Sequence, residues 1–334
     1  MALPYCEVGV TNLAICWNSC MFISTFCRKN LINNAKSAGN RVTLSSVTNS
    51  SETTRETSFN VTVFNHYYTK ETGRVSLDIN WLIWFIGFSE GDGAILLSKK
   101  NNIYRPRFVL TQKEGGILHH VRNTLGFGVV RHFPSGNYYR YIVEDNVNIR
   151  FLALLFNGNL VLPRRLMQLQ AWLNVFKDIK LIESTVSPTL NDAWLSGFTD
   201  AEGCFNIAIS SRKNTITGYR IILRFLLDQK YAEEQLLYIK NLFGFGFVSL
   251  RKETDKVYRY TNNSFKGLVS VNSYFMKYPL KTKKSTSFVK WNKAYALILK
   301  KTHLTKEGLD KIRILSREVN IINSETHRTG SAHP

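Results

Sequence analysis

The sequence predicts an α+β fold made of two similar half-domains in one chain, and three observations predict it. An apolar run with small residues four apart, closed by an acid and a glycine, occurs twice, as WLIWFIGFSEGDG (residues 81–93) and WLSGFTDAEG (residues 194–203). Landmarks downstream recur in the same order. Gly87 matches Gly197, Thr111-Gln112-Lys113 matches Asp228-Gln229-Lys230, Gly126-Phe127-Gly128 matches Gly244-Phe245-Gly246, and Trp172 matches Trp291, the offset growing only from 110 to 119 residues. Between the landmarks the periodicities alternate in one order: helix, hairpin, helix, hairpin, helix. A period of roughly 115 residues is too long for a solenoid and reads as two homologous domains.

The elements follow from local pattern. In the first half, Asp78 or Asn80 can cap the motif helix. Residues 94–97 and 107–112 read as strands around the turn-prone 99–102. Residues 115–125 carry helical spacing at Ile117, Val121 and Leu125. Residues 127–133 and 138–143 form a second hairpin about Pro134-Ser135-Gly136-Asn137. Residues 148–156 and 165–176 read as closing helices. The second half opens with Asn191 or Asp192 as cap and repeats the order: strands at 204–210 and 219–228, a helix at 232–243, strands at 247–251 and 256–261, and closing helices about 263–274 and 284–299. Gly93 and Gly203 stand where a helix C′ glycine belongs. The expected layout is a leader and flexible linker at 1–77, a first half-domain at 78–177, a linker with Pro188 at 178–190, a second half-domain at 191–322 and a disordered tail at 323–334.

Composition narrows the partners. The 334 residues carry a formal charge of +20 and are 44% hydrophobic, so a packed core is expected and the partner is a polyanion. Residues 1–80 hold 7 Lys/Arg against 5 Asp/Glu, a net of +2, which leaves +18 for the repeated region. Cys6, Cys16, Cys20 and Cys27 fit no zinc spacing, and Cys204 stands alone in the repeat, which suits a reducing compartment. Residues 8–27 are mildly apolar, but Asn12 and Asn18 make a poor membrane anchor. No positive charge precedes them as a secretory signal requires, and Glu7 departs from a transit peptide.

The chemistry concentrates at the motif ends. Gly87 and Gly91 share one helix face, as do Gly197 and Ala201, and small residues on matching faces let two backbones approach closely. Such a crossing brings Asp92 and Glu202 side by side at helix C-termini. The dipole there disfavours each carboxylate by roughly 0.3–1 kcal/mol, and the two repel each other. A divalent cation removes both penalties, and one carboxylate per half is the arithmetic of a two-metal nuclease. Glu90 and Asp200, two residues earlier, turn away from these acids and read as supporting or solvated groups.

The motifs FIGFSEGDG (85–93) and LSGFTDAEG (195–203) resemble those of LAGLIDADG homing endonucleases in the single-chain, two-motif form, and the likeness runs over roughly residues 79–320. HLTKEGLDKI (303–312) is similar to a C-terminal segment of fungal mitochondrial intron-encoded members. The resemblance implies two pseudo-symmetric αββαββα half-domains, joined at a pair of LAGLIDADG helices, with antiparallel DNA-binding sheets. It implies that Asp92 and Glu202 bind the catalytic Mg²⁺ (Mn²⁺ substituting), with the carbonyls of Gly91 and Ala201 as further metal ligands. It gives Gln112, Gln229, Lys284 and Arg165 catalytic roles beside them. The implied activity is double-strand cleavage at a long asymmetric DNA site, promoting intron homing, by a monomer in the mitochondrion. Phe85-Ile86 departs from the usual Leu-Ala, and Asp228 stands where the first half has Thr111.

Strands alternate faces, so each sheet can pack its core on one side and turn the other to the major groove. The candidate DNA contacts are Arg105, Arg107, Arg131 and Arg140 in the first half and Arg212, Lys213, Arg220, Arg224, Arg251, Lys252, Lys256 and Arg259 in the second, interspersed with Tyr104, Tyr138, Tyr139, Tyr219 and Tyr258. Two rival readings use the same charge: a maturase that binds its intron RNA, and a catalytically silent DNA-binding relic. No membrane partner is expected.

Overall fold

The computed structural model describes residues 58–101, 103–183 and 186–327. The four N-terminal cysteines, the apolar stretch 8–27, most of the expected linker and residues 328–334 lie outside the described residues. The first half runs α1 (Thr62–Thr72), α2 (Ile79–Asp92), β1 (Gly93–Lys100), β2 (Ile103–Gln112), α3 (Gly115–Leu125), β3 (Val129–Phe133), β4 (Tyr138–Val143), α4 (Asn146–Phe156) and α5 (Pro163–Leu173). The second runs α6 (Trp194–Glu202), β5 (Gly203–Ser211), β6 (Tyr219–Lys230), α7 (Glu233–Phe243), β7 (Phe247–Leu250), β8 (Val257–Asn262), α8 (Gly267–Lys277), α9 (Lys284–Leu299) and α10 (Lys306–His327). The two antiparallel sheets have the same order, β1-β2-β4-β3 and β5-β6-β8-β7, so the duplication read from the landmarks is a duplication of topology.

Register explains which face is which. Phe108 and Leu110 of β2 oppose Val143 and Tyr141 of β4, and all four are buried beneath the helices. Phe225 and Leu227 of β6 do the same in the second half. The alternate residues point the other way, and there the basic side chains collect. The Gly-Phe-Gly landmarks end α3 and α7. Gly126 and Gly244 sit at φ +74° and +71°, where only glycine is unstrained, and donate to Arg122 O and Lys240 O.

The halves meet through α2 and α6. A Cβ on Gly87 would fall 2.1 Å from Trp194 O, one on Gly197 1.8 Å from Trp84 O, and one on Gly91 2.2 Å from Ala201 Cβ. Phe85 and Ile86 do not loosen this crossing. Phe85 stacks on Trp81 and Phe156 and meets Phe108 edge-on, so its bulk fills its own half's core. Asp78 caps α2 through Trp81 N at 2.7 Å, and Asp192 accepts from Trp194 N at 3.1 Å.

Three expectations are corrected. Residues 58–77 belong to the first half rather than to the leader. Phe59, Val61, Phe64 and Tyr68 are buried, the Tyr68 hydroxyl donates to Leu125 O, and Asn60 and Asn159 exchange hydrogen bonds. The second half closes with α10, which runs through 323 to His327. Its Leu309, Ile312 and Val319 are buried, and Ser316 and Asn323 donate to Ile207 O and Phe205 O along the edge strand β5. Gly93 and Gly203 are extended (φ −79° and −84°), not left-handed. They are needed because a Cβ would meet Ser89 O at 2.3 Å or Thr199 O at 2.7 Å as each helix passes directly into a strand.

Candidate active site

Asp92 and Glu202 end α2 and α6 at the tight end of the crossing, and both are half-buried. They line one open cleft together with Gln112, Gln229, Arg165 and Lys284, so the structure brings together every candidate catalytic side chain. Burial pushes both carboxyls above the ordinary range, and Asp92 pushes Glu202 further. Lys284 and Arg165 pull both the other way. The Gln112 amide donates to Asp92 Oδ2. No such bond joins Gln229 to Glu202 among the described residues, so the halves are alike in topology and unlike in detail.

The basic pair sits on the backbone of the motif helices. Arg165 donates from Nε to Glu90 O at 2.9 Å and from Nη2 to Gly91 O at 3.0 Å. Lys284 Nζ donates to Ala201 O at 2.6 Å and Thr199 O at 3.2 Å. The two carbonyls expected to face metal therefore each accept a cationic donor, with a second lone pair left over. Asp92 and Glu202, these carbonyls and the two glutamine amides make a set of hard oxygen donors beside two acids that repel each other, which fits a hard divalent cation. Among the described residues no third Asp, Glu, His or Cys joins the pair into a larger cluster.

The second acids of the motifs are not solvated. Glu90 and Asp200 are buried and fully engaged. Glu90 accepts from Val161 N, Leu162 N and the Trp194 indole at 2.8, 2.6 and 2.6 Å. Asp200 accepts from Lys281 N, Thr282 N, Thr282 Oγ1 and the Trp84 indole at 2.8, 3.1, 2.5 and 2.8 Å. Sequence reasoning passed over this exchange, although a signal existed: a tryptophan precedes an acid by six residues in both motifs.

The candidate DNA contacts divide by register. Arg105, Arg107, Arg131 and Arg140 lie on the sheet face opposite Phe108 and Leu110. Arg131 stands directly across from Arg140, a like-charge pairing that destabilises a bare sheet and that a polyanion would relieve. Arg140 lies over the rings of Phe133 and Tyr138, each at 5.0 Å, and Arg107 pairs with Glu144 at 2.7 Å. In the second half Arg220, Arg224 and Arg259 share the corresponding face, while Arg212, Lys213, Arg251, Lys252 and Lys256 are exposed in the hairpin loops. Asp228 holds Arg259 at 2.6 and 2.7 Å and Arg251 at 2.9 Å, an arrangement Thr111 cannot make opposite Arg140. Among the described residues no helix is long and apolar enough to cross a membrane.

Fold and site define a class of protein: a pseudo-symmetric α+β chain with a carboxylate pair at the crossing of two motif helices and a basic sheet face in each half. The chain belongs to the LAGLIDADG endonuclease family, which it matches over residues 85–176 and 195–295. It is 38% identical over 253 residues to the Neurospora crassa protein named probable intron-encoded endonuclease 4, covering 73% of this chain and 45% of that one. It is 31% identical to an uncharacterized cox1 intron-2 protein of Schizosaccharomyces pombe, covering 59% and 61% of the two. The chain thus spans about half the length of these relatives. Among solved structures it resembles the LAGLIDADG meganuclease I-AabMI bound to uncleaved DNA, with a TM-score of 0.61 and 24% identity over 71% of this chain and 98% of that one. It also resembles I-SmaMI bound to an uncleaved DNA target in the presence of calcium ions, with a TM-score of 0.58 and 18% identity over 72% and 98%.

Proposed function

We propose that the chain is a site-specific DNA endonuclease that hydrolyses one phosphodiester on each strand of a long asymmetric site and so promotes homing of its intron. The observation that carries this is the placement of Asp92 and Glu202 at the touching ends of α2 and α6, between two sheets whose helix-free faces are basic. The intron-encoded names of its relatives and the DNA-bound neighbours support it.

The chemistry follows from the residues. In each strand a water oxygen attacks phosphorus and a sugar oxygen leaves. Mg²⁺ held by Asp92 and Glu202, with the carbonyls of Gly91 and Ala201 within reach, would supply positive charge against the charge that builds on the phosphate; Mn²⁺ would substitute. Gln112 and Gln229 orient the attacking water. Arg165 and Lys284, fixed on main-chain carbonyls, present cations to the phosphate without further reorganisation. Arginines on the sheets donate to guanine edges in the major groove, and the lysines and loop arginines hold phosphates. Because Thr111 and Asp228 make the two faces unlike, the site read is asymmetric. The protein acts as a monomer, its internal pseudo-two-fold supplying both cleavage centres, and works in the mitochondrion, where its intron resides.

The test is cleavage of a plasmid bearing the joined exons that flank this reading frame, in Mg²⁺ and in EDTA, beside Asp92→Asn and Glu202→Gln. Specific double-strand cutting that needs Mg²⁺ and both acids is expected. Folded protein that binds this DNA and leaves it whole would overturn the reading and turn attention to intron RNA.

A further inference from the structure

We propose that Glu90 and Asp200 are positioning residues that tie the basic side chain of each half to the motif helix of the other half, so that each half's cutting depends on its neighbour's indole. This rests on the endonuclease reading above.

Glu90 is on α2 of the first half. Its Oε1 accepts the two N–H groups that lead into α5, and Arg165 is the third residue of that helix. Its Oε2 accepts the indole of Trp194, which lies on α6 of the second half. Arg165 then reaches back to the carbonyls of Glu90 and Gly91, beside Asp92. The mirror path runs from Trp84 on α2 through Asp200 on α6 to the N–H groups of Lys281 and Thr282. These lead into α9, whose first residue, Lys284, returns to the carbonyls of Thr199 and Ala201 beside Glu202. Each carboxylate therefore fixes where a closing helix begins and at the same time reads the seating of the opposite motif helix.

Packing does not explain the choice. Two buried carboxylates in a helix crossing give weak stabilisation at best, since apolar residues of similar volume commonly serve as well or better. What a carboxylate adds is direction: its lone pairs accept several donors at once and hold them in one arrangement. Orphan N–H groups at a helix start are its natural partners, and the helix dipole favours the negative charge there. Arg165 and Lys284 leave from the first turns of those two helices, so a small shift of either start carries straight to the cleft.

The experiment separates the halves by strand. Single-turnover cleavage of the joined-exon duplex, each strand labelled in turn, is followed with saturating protein in Mg²⁺. Arg165→Ala and Lys284→Ala establish which strand each half serves. Trp194→Phe and Glu90→Gln are expected to slow the Arg165 strand by about tenfold to a hundredfold, the scale of an ångström-level misplacement, with the other strand within about threefold. Trp84→Phe and Asp200→Asn should do the same to the Lys284 strand. For the four indole and acid variants DNA affinity should stay within about threefold, because none of these four residues lies on the basic faces. The phenylalanine variants keep an aromatic ring in the buried crossing and remove the N–H together with part of the indole, so the strand selectivity of the slowing, rather than its size, decides the matter even where an acid variant fails to fold. Equal slowing of both strands, slowing of the wrong strand, or unchanged cutting would overturn the proposal. A wild type that binds and does not cut sinks the endonuclease reading and this one together, whereas a cutting wild type with strand-neutral indole variants sinks only this one.

Discussion

Replacing Gly197 by alanine tests the crossing on which the site depends. The added methyl carbon would stand 1.8 Å from Trp84 O and 2.8 Å from Phe88 N. An ordinary closest approach of carbon to a carbonyl oxygen is about 3.3 Å, so α2 and α6 must part by roughly 1.5 Å. Overpacking of this kind costs about 3 kcal/mol where the neighbour is backbone that cannot rotate aside. For a domain of this size that corresponds to a fall in Tm of about 6–12 °C. The same displacement moves Asp92 from Glu202, and cleavage should fall by about a hundredfold. The sign makes the test sharp, because at an unobstructed helical glycine the same change stabilises by about 0.4–1 kcal/mol through the unfolded chain. Gly116, exposed in α3 with nothing within 4 Å of its Cβ position, is the internal control. Thermal unfolding followed by circular dichroism reads both. Should Gly197→Ala melt at or above wild type, as Gly116→Ala is expected to, the reasoning about the crossing is refuted.

Other outcomes follow from the same geometry. Asp92→Asn and Glu202→Gln should abolish cutting yet melt no lower than wild type in metal-free buffer, because each removes one partner of a repelling pair; a clear loss of Tm would contradict this. Mg²⁺ at about a hundred times its Kd should stabilise the DNA-free wild type by about 2.7 kcal/mol and leave a variant carrying both Asp92→Asn and Glu202→Gln unmoved, which differential scanning calorimetry reads directly. Asp228→Asn frees the charge it holds on Arg251 and Arg259, so the plot of log affinity against log salt for non-specific duplex should steepen by about 0.9; an unchanged slope would show that those arginines never reach phosphate. Phe64→Ala should destabilise by about 3–5 kcal/mol in denaturant titrations, since α1 is part of the first half's core, and a neutral result would return residues 58–77 to the status of a leader.

The duplication was legible because it is written in residues whose reasons are local. Glycine spacing marks the crossing, left-handed glycines end α3 and α7, and alternating apolar residues fix the sheets. Helix α1 was illegible for the opposite reason. Its buried positions, Phe64 and Tyr68, are only two, set among threonines and polar residues with no capping side chain, and the partners that bury them come from α3 and α4 far along the chain. Helix α10 shows the same limit. Its sequence is amphipathic, but its role, covering the edge of β5, exists only once the sheet does. At the site, the terminal acids announced themselves by repetition. A helical step of two turns the carboxylates of Glu90 and Asp200 toward indoles of the opposite half, although Asp200 still borders the cleft. What lay in the direction they turned, a tryptophan of the other half and the start of a closing helix, was tertiary information. Gly93 and Gly203 were placed at the correct boundary for the wrong cause, because a helix stop and a direct helix-to-strand passage look identical in one dimension.

The exchanged indoles also set a rule for recombination. A chimera that joins the first half of this chain to the second half of a relative has to match more than the glycine surfaces of the two motif helices. It must import Trp194 with an acid at position 90 to receive it, and Asp200 with a tryptophan at position 84. Half-domains are therefore interchangeable as active cassettes only when these two donor–acceptor couples travel intact, and among fusions that fold and bind DNA, cutting rate should sort along that division.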